Sequence, residues 1–399
     1  MKINNKNFFI ILCAIFMIRP YYVQLCKTIN LIWAVMTLIL SVLCCIRTQK
    51  YESVKKDKFF YIFICTYLIA TLINCEKNIM SAISNSAQIT LAYSLGRLFE
   101  NNRYKQKIIR YTPMIFSIYI YLDFMSILFD FSKKIWNIES SISFLGYDNY
   151  AAFYIVPIIG IKFSLDYMKK NRLNWEDWTF YFCCLFSKVL TKSYTATFAI
   201  ILIPVFAFMI MHARLIRKLF NVKGFAVLIL LLFDGIYFFN IQNVFSHLLS
   251  MAGKGITLNS RTVIWKFVLS HIFNVPIYGL GNITDDYFMT FFDFPYGYIA
   301  THAHFLYLDL IIQTGVIGSI AYLGMLFSIR LKKVYLRKEV LIYPFVCLLS
   351  FLVLSMFDAY LFVATPYFLI GYLTSLTWKL ERENYVVQDK NSCKIKALS

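Results

Sequence analysis

Charged residues are scarce in this chain. Asp, Glu, Lys and Arg together make up only 15% of the 399 residues, whereas an ordinary soluble domain carries about 25%. Hydrophobic residues amount to 59%, and the mean hydropathy is +0.62. The length alone would allow about two or three soluble domains. The composition excludes that interpretation and favours a membrane protein.

Acidic residues are the scarcer of the two charge types, with 21 against 40 basic residues and a net charge of +19. Such an excess could indicate nucleic-acid binding. The basic residues, however, lie in short clusters between apolar stretches. That placement is typical of topology signals, because Lys and Arg are retained on the cytoplasmic side of a membrane. No nucleic-acid partner is therefore expected.

Cysteine pairs with metal-site spacing are also missing. No C-x-x-C spacing occurs among the ten cysteines, and most of them lie inside apolar runs. We therefore expect buried, inert thiols rather than a disulfide framework or a zinc site. The first apolar stretch lacks a small-residue cleavage site and is followed by Arg19-Pro20. This favours a retained first helix over a signal peptide.

Apolar stretches recur along the whole chain, and about 20 apolar residues suffice to cross a bilayer. We predict helices at 7–26, 29–46, 59–75, 79–98, 111–131, 148–168, 178–192, 194–212, 224–240, 303–329, 340–357 and 360–378. With the N-terminus inside, the short basic loops all fall on the same side. The prediction is an all-α polytopic integral membrane protein with about twelve transmembrane helices and both termini cytoplasmic. Residues 1–378 would form one transmembrane domain, and 379–399 a polar cytoplasmic tail.

One long loop breaks this pattern, at 241–302 between the ninth and tenth predicted helices, on the extracytoplasmic side. His247, His271 and His302 lie in it and His304 follows directly, so it collects four of the five histidines. Long loops in compact proteins are usually functional. Ser260 can cap a surface helix with apolar positions Val263, Ile264, Phe267, Val268 and Ile272, ended by Pro276 and Gly279-Leu280-Gly281.

His304 is predicted to open the tenth helix, on the face that carries Gly315 and Gly318. Two glycines on one face let a neighbouring backbone approach closely, so this face should point into the bundle. His302 falls on the opposite face and lines up with Asp309, which could orient it. The alternative is that both are interfacial histidines with no chemical task.

Several charged residues are further candidates. Arg261 has a planar fork of donors suited to phosphate oxygens, although a surface arginine at lipid headgroups would look the same. Lys188 and Lys192 either snorkel to the interface or line a polar cavity. Asp123 and Asp234 lie in apolar helices, where a charge is costly, but their spacing assigns them no role. Asp285-Asp286 alone is weak evidence for a metal site.

The stretch 259–318 resembles the O-antigen polymerase and ligase family, the Wzy-like enzymes of bacterial surface polysaccharide assembly. The resemblance rests on Ser260-Arg261, Trp265, Pro276, Gly279-Leu280-Gly281, His304, Tyr307-Leu308, Gly315 and Gly318. Gly146 to Ala152, with Asn149-Tyr150-Ala151, is similar to the family's sixth helix. Phe305 replaces a usual asparagine, Gln313 a common glutamate, and Lys192-Ser193-Tyr194 stands where the family often has Ser-Arg.

The resemblance implies a metal-independent, inverting glycosyltransferase that needs no cofactor and uses glycans linked to undecaprenyl diphosphate. His304 would take the proton of the acceptor hydroxyl, and Arg261 would stabilise the departing diphosphate. Lys192, His302, Asn149 and Trp265 are the expected substrate-binding residues. His304 could instead bind the diphosphate, with His302 or a carboxylate as the base.

The expected function is that of a polysaccharide polymerase in the bacterial cytoplasmic membrane, acting in capsule, exopolysaccharide or O-antigen synthesis. Besides membrane lipid, a chain-length regulator and a flippase are conceivable partners. An O-antigen ligase would share these motifs. A flippase for lipid-linked oligosaccharides suits twelve helices equally well, but it should show two related halves, and none is detectable. A membrane acyltransferase would also use an outer-face histidine.

Overall fold

The computed structural model describes residues 5–49, 57–74, 78–136, 138, 142–212, 221–239, 261–295, 300–329 and 339–396. The helices are α1 (Asn5–Met17), α2 (Tyr21–Leu25), α3 (Lys27–Gln49), α4 (Lys58–Asn74), α5 (Ile79–Arg97), α6 (Asn102–Leu128), α7 (Phe131–Trp136), α8 (Asp148–Lys170), α9 (Trp175–Leu190), α10 (Tyr194–His212), α11 (Val222–Phe239), α12 (Arg261–His271), α13 (Asp285–Phe291), α14 (Leu306–Phe327), α15 (Glu339–Phe357) and α16 (Ala364–Lys396). Two short strands, β1 (Ile142–Ser143) and β2 (Gly146–Tyr147), form an antiparallel hairpin before α8.

The helical class of the prediction is confirmed, because the described residues are almost all in helices. Seven of these helices are long and apolar enough to cross a membrane, namely α3, α6, α8, α10, α11, α14 and α15. The helices α1 and α4 are apolar but shorter. The count of twelve crossings and the cytoplasmic position of the termini stay predictions.

Several boundaries differ from those predicted. The first predicted helix, 7–26, is two helices, because the residue before Pro20 is disfavoured in a helical conformation. The helix predicted at 111–131 already begins at Asn102, where the Asn101 side chain accepts a hydrogen bond from the Arg103 amide. The last helix runs on to Lys396, beyond the predicted end at 378.

Helix α8 is the central element of the bundle. In its apolar span 89% of the residues are buried inside the protein, whereas only 22% of the α3 span is buried. It packs against α15 at Gly160, where an added Cβ would lie 2.7 Å from the Cys347 side chain. Small residues allow this close approach between membrane helices. Because α8 is held on all sides, the residues at its two ends are fixed relative to each other.

Helix α14 is broken in its middle, which the predicted continuous helix at 303–329 did not include. Gly315 has φ +63° and ψ −169°, a conformation that is essentially restricted to glycine. The backbone groups freed by the break pair with the incoming loop: Leu280 N with Ile312 O at 2.7 Å, Gly281 N with Gln313 O at 3.0 Å, and Ile317 N with Ile277 O at 3.3 Å. Irregular backbone at membrane depth requires such internal partners.

The same loop is also tied to α4. The Asn282 amide donates to Thr71 Oγ1 at 2.8 Å, and the Asn74 side chain donates to Gly279 O at 3.0 Å. Asn78 donates to Asn282 O at 2.8 Å. The chain after α12 is therefore anchored to both α4 and α14. The expected close approach of a backbone is confirmed at Gly315, because a Cβ added to Gly279 would lie 2.5 Å from Gly315 N. At Gly318 an added Cβ would meet only the Thr314 side chain.

Candidate functional site

The candidate site is built around Asp358, in the turn between α15 and α16. This carboxylate is only 2% exposed. Its Oδ1 lies 2.9 Å from His302 Nε2 and 3.0 Å from His304 Nδ1, and its Oδ2 accepts a hydrogen bond from Asn149 Nδ2 at 3.0 Å. Because a carboxylate only accepts hydrogen bonds, both histidines donate to it through these nitrogens. Three predicted site residues thus meet at one acidic group.

Arg261, the first residue of α12, is the fourth predicted site residue at this carboxylate. Its Nη2 lies 3.9 Å from Asp358 Oδ2, an ion pair too long for a hydrogen bond. The residue is 8% exposed, and within the described ranges its Nε has no hydrogen-bond partner. A buried guanidinium with unused donors is costly unless an anion completes it. Ser260, the predicted helix cap, lies outside the described residues, as does His247.

The two histidines lie on a short segment before α14. His304 has a φ of +54°, and the helix begins only at Leu306, so the prediction that His304 opens the helix is wrong. Ala303, the residue between the two histidines, is held by two hydrogen bonds. Its amide donates to Asp309 Oδ1 at 3.0 Å, and its carbonyl accepts from Trp265 Nε1 at 2.8 Å. Asp309 therefore holds the backbone, and Asp358 is the carboxylate bonded to His302.

Trp265 and Phe305 form the apolar wall behind this segment. Trp265 is fully buried, and Phe305 stacks on Phe233 of α11 with ring centroids 4.1 Å apart. The aromatic residue that replaces the family's usual asparagine thus packs against a neighbouring helix. The contacts of Trp265 in the described residues position the histidine segment. Its predicted contact with substrate stays a prediction.

The two histidines differ in the use of their second ring nitrogen. His302 Nδ1 lies 2.8 Å from Thr301 Oγ1, so both of its nitrogens are engaged. For His304 the described residues provide a partner only at Nδ1, and its side chain is 24% exposed, against 15% for His302. With Nδ1–H donated to Asp358, Nε2 of His304 carries the lone pair. Within the described residues, His304 is therefore the histidine with a ring nitrogen available to accept a proton.

The environments shift these groups in different directions. Burial lowers the pKa of His304 below its ordinary value, in spite of the hydrogen bond to Asp358, and His302 nearby adds to the lowering. Burial also opposes the charged form of His302, but the hydrogen bond to Asp358 and the charges of Asp309 and Asp358 raise its pKa. For Asp358, the two histidines outweigh burial and hold the pKa of the carboxyl well below its usual range.

Residues around α9 extend the site on one side. Ser193 Oγ donates to Asn149 Oδ1 at 2.6 Å and so orients the amide that bonds Asp358. The neighbouring Lys192 is exposed and has a φ of +56°, and it makes no ion pair among the described residues. Lys188 does not snorkel; it is fully buried, with its Nζ 3.9 Å from Asp123 Oδ2. Asp234 is exposed on α11 and its role stays open.

His302, His304 and Asp358 could also hold a metal ion, since their ligand atoms lie within 4.8 Å of one another. The fit is poor, because Asp358 Oδ1 already bonds both ring nitrogens and the Arg261 cation lies 3.9 Å from the same carboxylate. A second cation between these groups would meet the guanidinium at short range. Hydrogen bonding between the three residues accounts for the observed geometry.

Asp358 is not among the residues predicted from the sequence. Its signal was a lone carboxylate in the short break between two strongly apolar segments, at 340–357 and 360–378. The predicted topology places that break on the same side of the membrane as the long loop. An acid at such a position is rare enough to be a candidate.

A family model described as O-antigen ligase matches residues 179–323. The matched range contains Arg261, His302 and His304 and ends before Asp358. No curated protein and no solved structure gives a match. The predicted resemblance to the O-antigen polymerase and ligase family is thereby confirmed. The matched family suggests a membrane enzyme of the O-antigen polymerase or ligase type, and the substrates of that family are lipid-linked glycans.

Proposed function

We propose that this protein is a polysaccharide polymerase of the bacterial cytoplasmic membrane. It joins oligosaccharide repeat units carried on undecaprenyl diphosphate, on the outer face of the membrane, for a capsule, an exopolysaccharide or O-antigen. The observation that carries the proposal is the meeting, at Asp358, of a buried, incompletely bonded arginine and a partly exposed histidine whose Nε2 has no partner among the described residues. Glycosyl transfer from a diphosphate needs a cation and a base at one place.

In the proposed reaction, His304 Nε2 takes the proton of the acceptor hydroxyl. The acceptor oxygen then forms a bond to the anomeric carbon of the donor, while the bond from that carbon to the diphosphate oxygen breaks. Attack opposite the leaving group inverts the anomeric centre. A general base contributes typically about 10²–10⁴-fold, and positioning of the two substrates supplies much of the remaining acceleration.

Arg261 would stabilise the negative charge that develops on the departing diphosphate. Its planar fork can bond two phosphate oxygens at once, and the low-polarity surroundings strengthen that attraction. This cation supplies the electrostatic role that a metal has in other phosphate chemistry, so the proposed reaction is independent of metal and cofactor. Lys192, which is exposed and directly precedes Ser193, would add a second positive charge.

Asp358 acts in this proposal as a positioning residue. It accepts Nδ1–H of His304 and so keeps the lone pair on Nε2, the arrangement that a base needs. Asp358 also accepts hydrogen bonds from His302 Nε2 at 2.9 Å and from Asn149 Nδ2 at 3.0 Å. Both of these residues are expected to contact the substrate. A chain-length regulator and a flippase would be the protein partners of such a polymerase.

Deletion of the gene in its native strain tests the proposal against its alternatives. Surface polysaccharide is sized by gel electrophoresis and restored with a plasmid copy of the wild type. Products limited to a single repeat unit are the expected result. Long chains that are not joined to their final acceptor would instead indicate a ligase, and loss of all outer-face product would indicate a flippase.

A further inference from the structure

Aromatic side chains collect at the same end of α8 as the candidate site. Five of them form what we call the aromatic patch: Tyr21, Tyr22, Trp136, Phe144 and Tyr147. The ring contacts form two neighbouring groups: the Tyr21 centroid lies 5.4 Å from that of Tyr147, and the Tyr22 centroid lies 5.7 Å from that of Trp136 and 5.8 Å from that of Phe144. Tyr147 is 48% exposed and Trp136 is 42% exposed. The other three rings are half-buried beneath these two, and exposed aromatic rings on such a base can form an interaction site.

The hairpin β1–β2 fixes the patch to the bundle. The Tyr21 amide donates to Phe144 O at 2.9 Å, and Tyr22 Oη lies 2.8 Å from Ser132 Oγ of α7. The Leu145 amide donates to Asp123 Oδ1 at 2.9 Å, which ties the turn of the hairpin to α6. The exposed rings therefore stand on a rigid support, and binding to them would cost little ordering entropy.

A run of half-buried rings connects the hairpin to the candidate site. Gly146 has a φ of +131°, and an added Cβ there would lie 2.7 Å from the Tyr150 ring, so only glycine leaves room for it. The Tyr150 ring is 4.9 Å from that of Tyr360, which is 5.2 Å from His302. Tyr147 itself stands two residues before Asn149, whose amide bonds Asp358.

We propose that the aromatic patch binds the sugar rings of the lipid-linked glycan and guides the chain to His304; this inference rests on the proposed function. A pyranose presents C–H groups on its faces and hydroxyls at its edge. Tyr and Trp match that surface, because each combines a large apolar ring with a hydrogen-bonding group. Binding sites commonly consist of such aromatic walls with a few polar groups.

A membrane-interface belt is the competing explanation, since Trp and Tyr concentrate at the headgroup level. The chain offers a matched control for it. Trp175 starts α9, at the opposite end of α8, and is 81% exposed. It makes no ring contact among the described residues. An anchoring role would make Trp136 and Trp175 equivalent, whereas glycan binding would set Trp136 apart.

The test uses purified full-length protein in proteoliposomes with lipid-linked repeat units as substrate. Tyr147→Ala and Trp136→Ala should each raise KM for the repeat unit by about 2–10-fold, the value of one aromatic contact, with kcat unchanged. Trp136→Phe should recover part of the loss, and Trp175→Ala should leave both constants unchanged. Unchanged KM in the two patch variants would overturn the inference. An equal effect of Trp175→Ala would do the same and would assign the patch to the interface belt.

A second measurement separates this inference from the proposed function. The repeat-unit oligosaccharide, released from its lipid by mild acid, is offered to the same proteins, and binding is followed by saturation-transfer NMR. If the wild type makes no polymer, the polymerase proposal fails, and loss of binding in Tyr147→Ala and Trp136→Ala still supports the patch. If the wild type polymerises but these variants bind and react as it does, only the patch inference fails.

Discussion

Helix α8 carries a buried polar cluster at each end, and the two clusters are built differently. At one end Lys162 Nζ lies 2.5 Å from Asp166 Oδ2 and 2.9 Å from Asp177 Oδ1. At the other end Asn149 bonds Asp358, and the cation Arg261 stays 3.9 Å from that carboxylate. About 20 Å of helix separates Asn149 from Lys162.

The difference lies in which donors remain unused. The cluster at Lys162 is closed: within the described residues none of its three charged side chains leaves a buried nitrogen or oxygen without a partner. The cluster at Asp358 is open, because among the described residues neither Arg261 Nε nor His304 Nε2 has a hydrogen-bond partner. Buried polar groups that are fully satisfied hold elements together. Those left incomplete are the ones that can receive a ligand.

Arg261→Ala should have the largest effect. Without the guanidinium the departing diphosphate loses its cation, and we expect chain lengthening to be abolished, with membrane insertion unchanged. Arg261→Lys should restore only part of the activity, since an ammonium lacks the planar fork. The readout is polysaccharide length on gels after expression in the deletion strain. Polysaccharide chains of normal length from Arg261→Ala would show that the reaction does not need Arg261.

Asp358→Asn should lower kcat by about 10²–10⁴-fold, because an amide no longer holds the proton on Nδ1 of His304. The pH profile provides the sharper test. The base works deprotonated, and the pKa of His304 is lowered, so wild-type activity should persist below about pH 6.5 before it falls.

The hydrogen bond and the charge of Asp358 act to raise the pKa of His304. The Asp358→Asn variant should therefore lose activity at a lower pH than the wild type, and its maximal kcat/KM should be smaller. The measurement is kcat/KM against pH for both proteins in proteoliposomes. If the fall of kcat/KM at low pH began at a higher pH in Asp358→Asn than in the wild type, the hydrogen bond between Asp358 and His304 would be contradicted.

Lys162→Met tests the closed cluster. Removing the cation leaves two buried carboxylates uncompensated, which should cost about 3–5 kcal/mol of stability. The catalytic constant per folded molecule should be unchanged, because this end of α8 is remote from His304. Denaturant titration in detergent and activity of the folded fraction measure the two effects. Arg261→Met is the matched control. It should lose activity, whereas its free energy of unfolding should be nearly unchanged.

Gly315→Ala should destabilise the protein by about 1–3 kcal/mol, because alanine is strained at a positive φ and its Cβ would lie 2.1 Å from Ile277 O. The expected observation is a lower melting temperature in detergent. Gly324→Ala serves as the comparison, since its neighbour is the movable Phe59 ring. Equal melting temperatures for Gly315→Ala and the wild type would mean that the helix break tolerates a side chain.

Removal of metal should have the smallest effect. Polymerisation by protein treated with EDTA should proceed at the untreated rate, because Arg261 supplies the positive charge. If chelation abolished activity and one divalent cation restored it, the result would indicate that a metal ion binds at His302, His304 and Asp358.

Residue type and local spacing predict four of the residues that meet at Asp358. Short patterns single out Arg261, His302, His304 and Asn149, and each lies within 4 Å of that carboxylate. Asp358 has no such pattern. Its partner His304 is 54 residues away, so their meeting depends on how α15 and α16 pack against the histidine segment. A single sequence contains no direct measure of that packing.

The fold shows the same division between local and distant causes. Hydropathy predicts the apolar helices, seven of which are long enough to cross a membrane, because the need to bury apolar side chains in lipid acts on each stretch by itself. Hydropathy does not predict the break in α14 at Gly315, because the apolar pattern continues on both sides of it. What stabilises the break is the Gly279–Gly281 backbone. The two glycine motifs were recognised separately, but their contact is a tertiary one.

The most direct test of the central claim uses purified protein and lipid-linked repeat units alone, in proteoliposomes. The wild type and Lys162→Met should form a ladder of products that carry two or more repeat units on undecaprenyl diphosphate, while His304→Ala, inserted to the same level, should form none. A ladder from His304→Ala, or none from the active-site-intact proteins, would contradict the account.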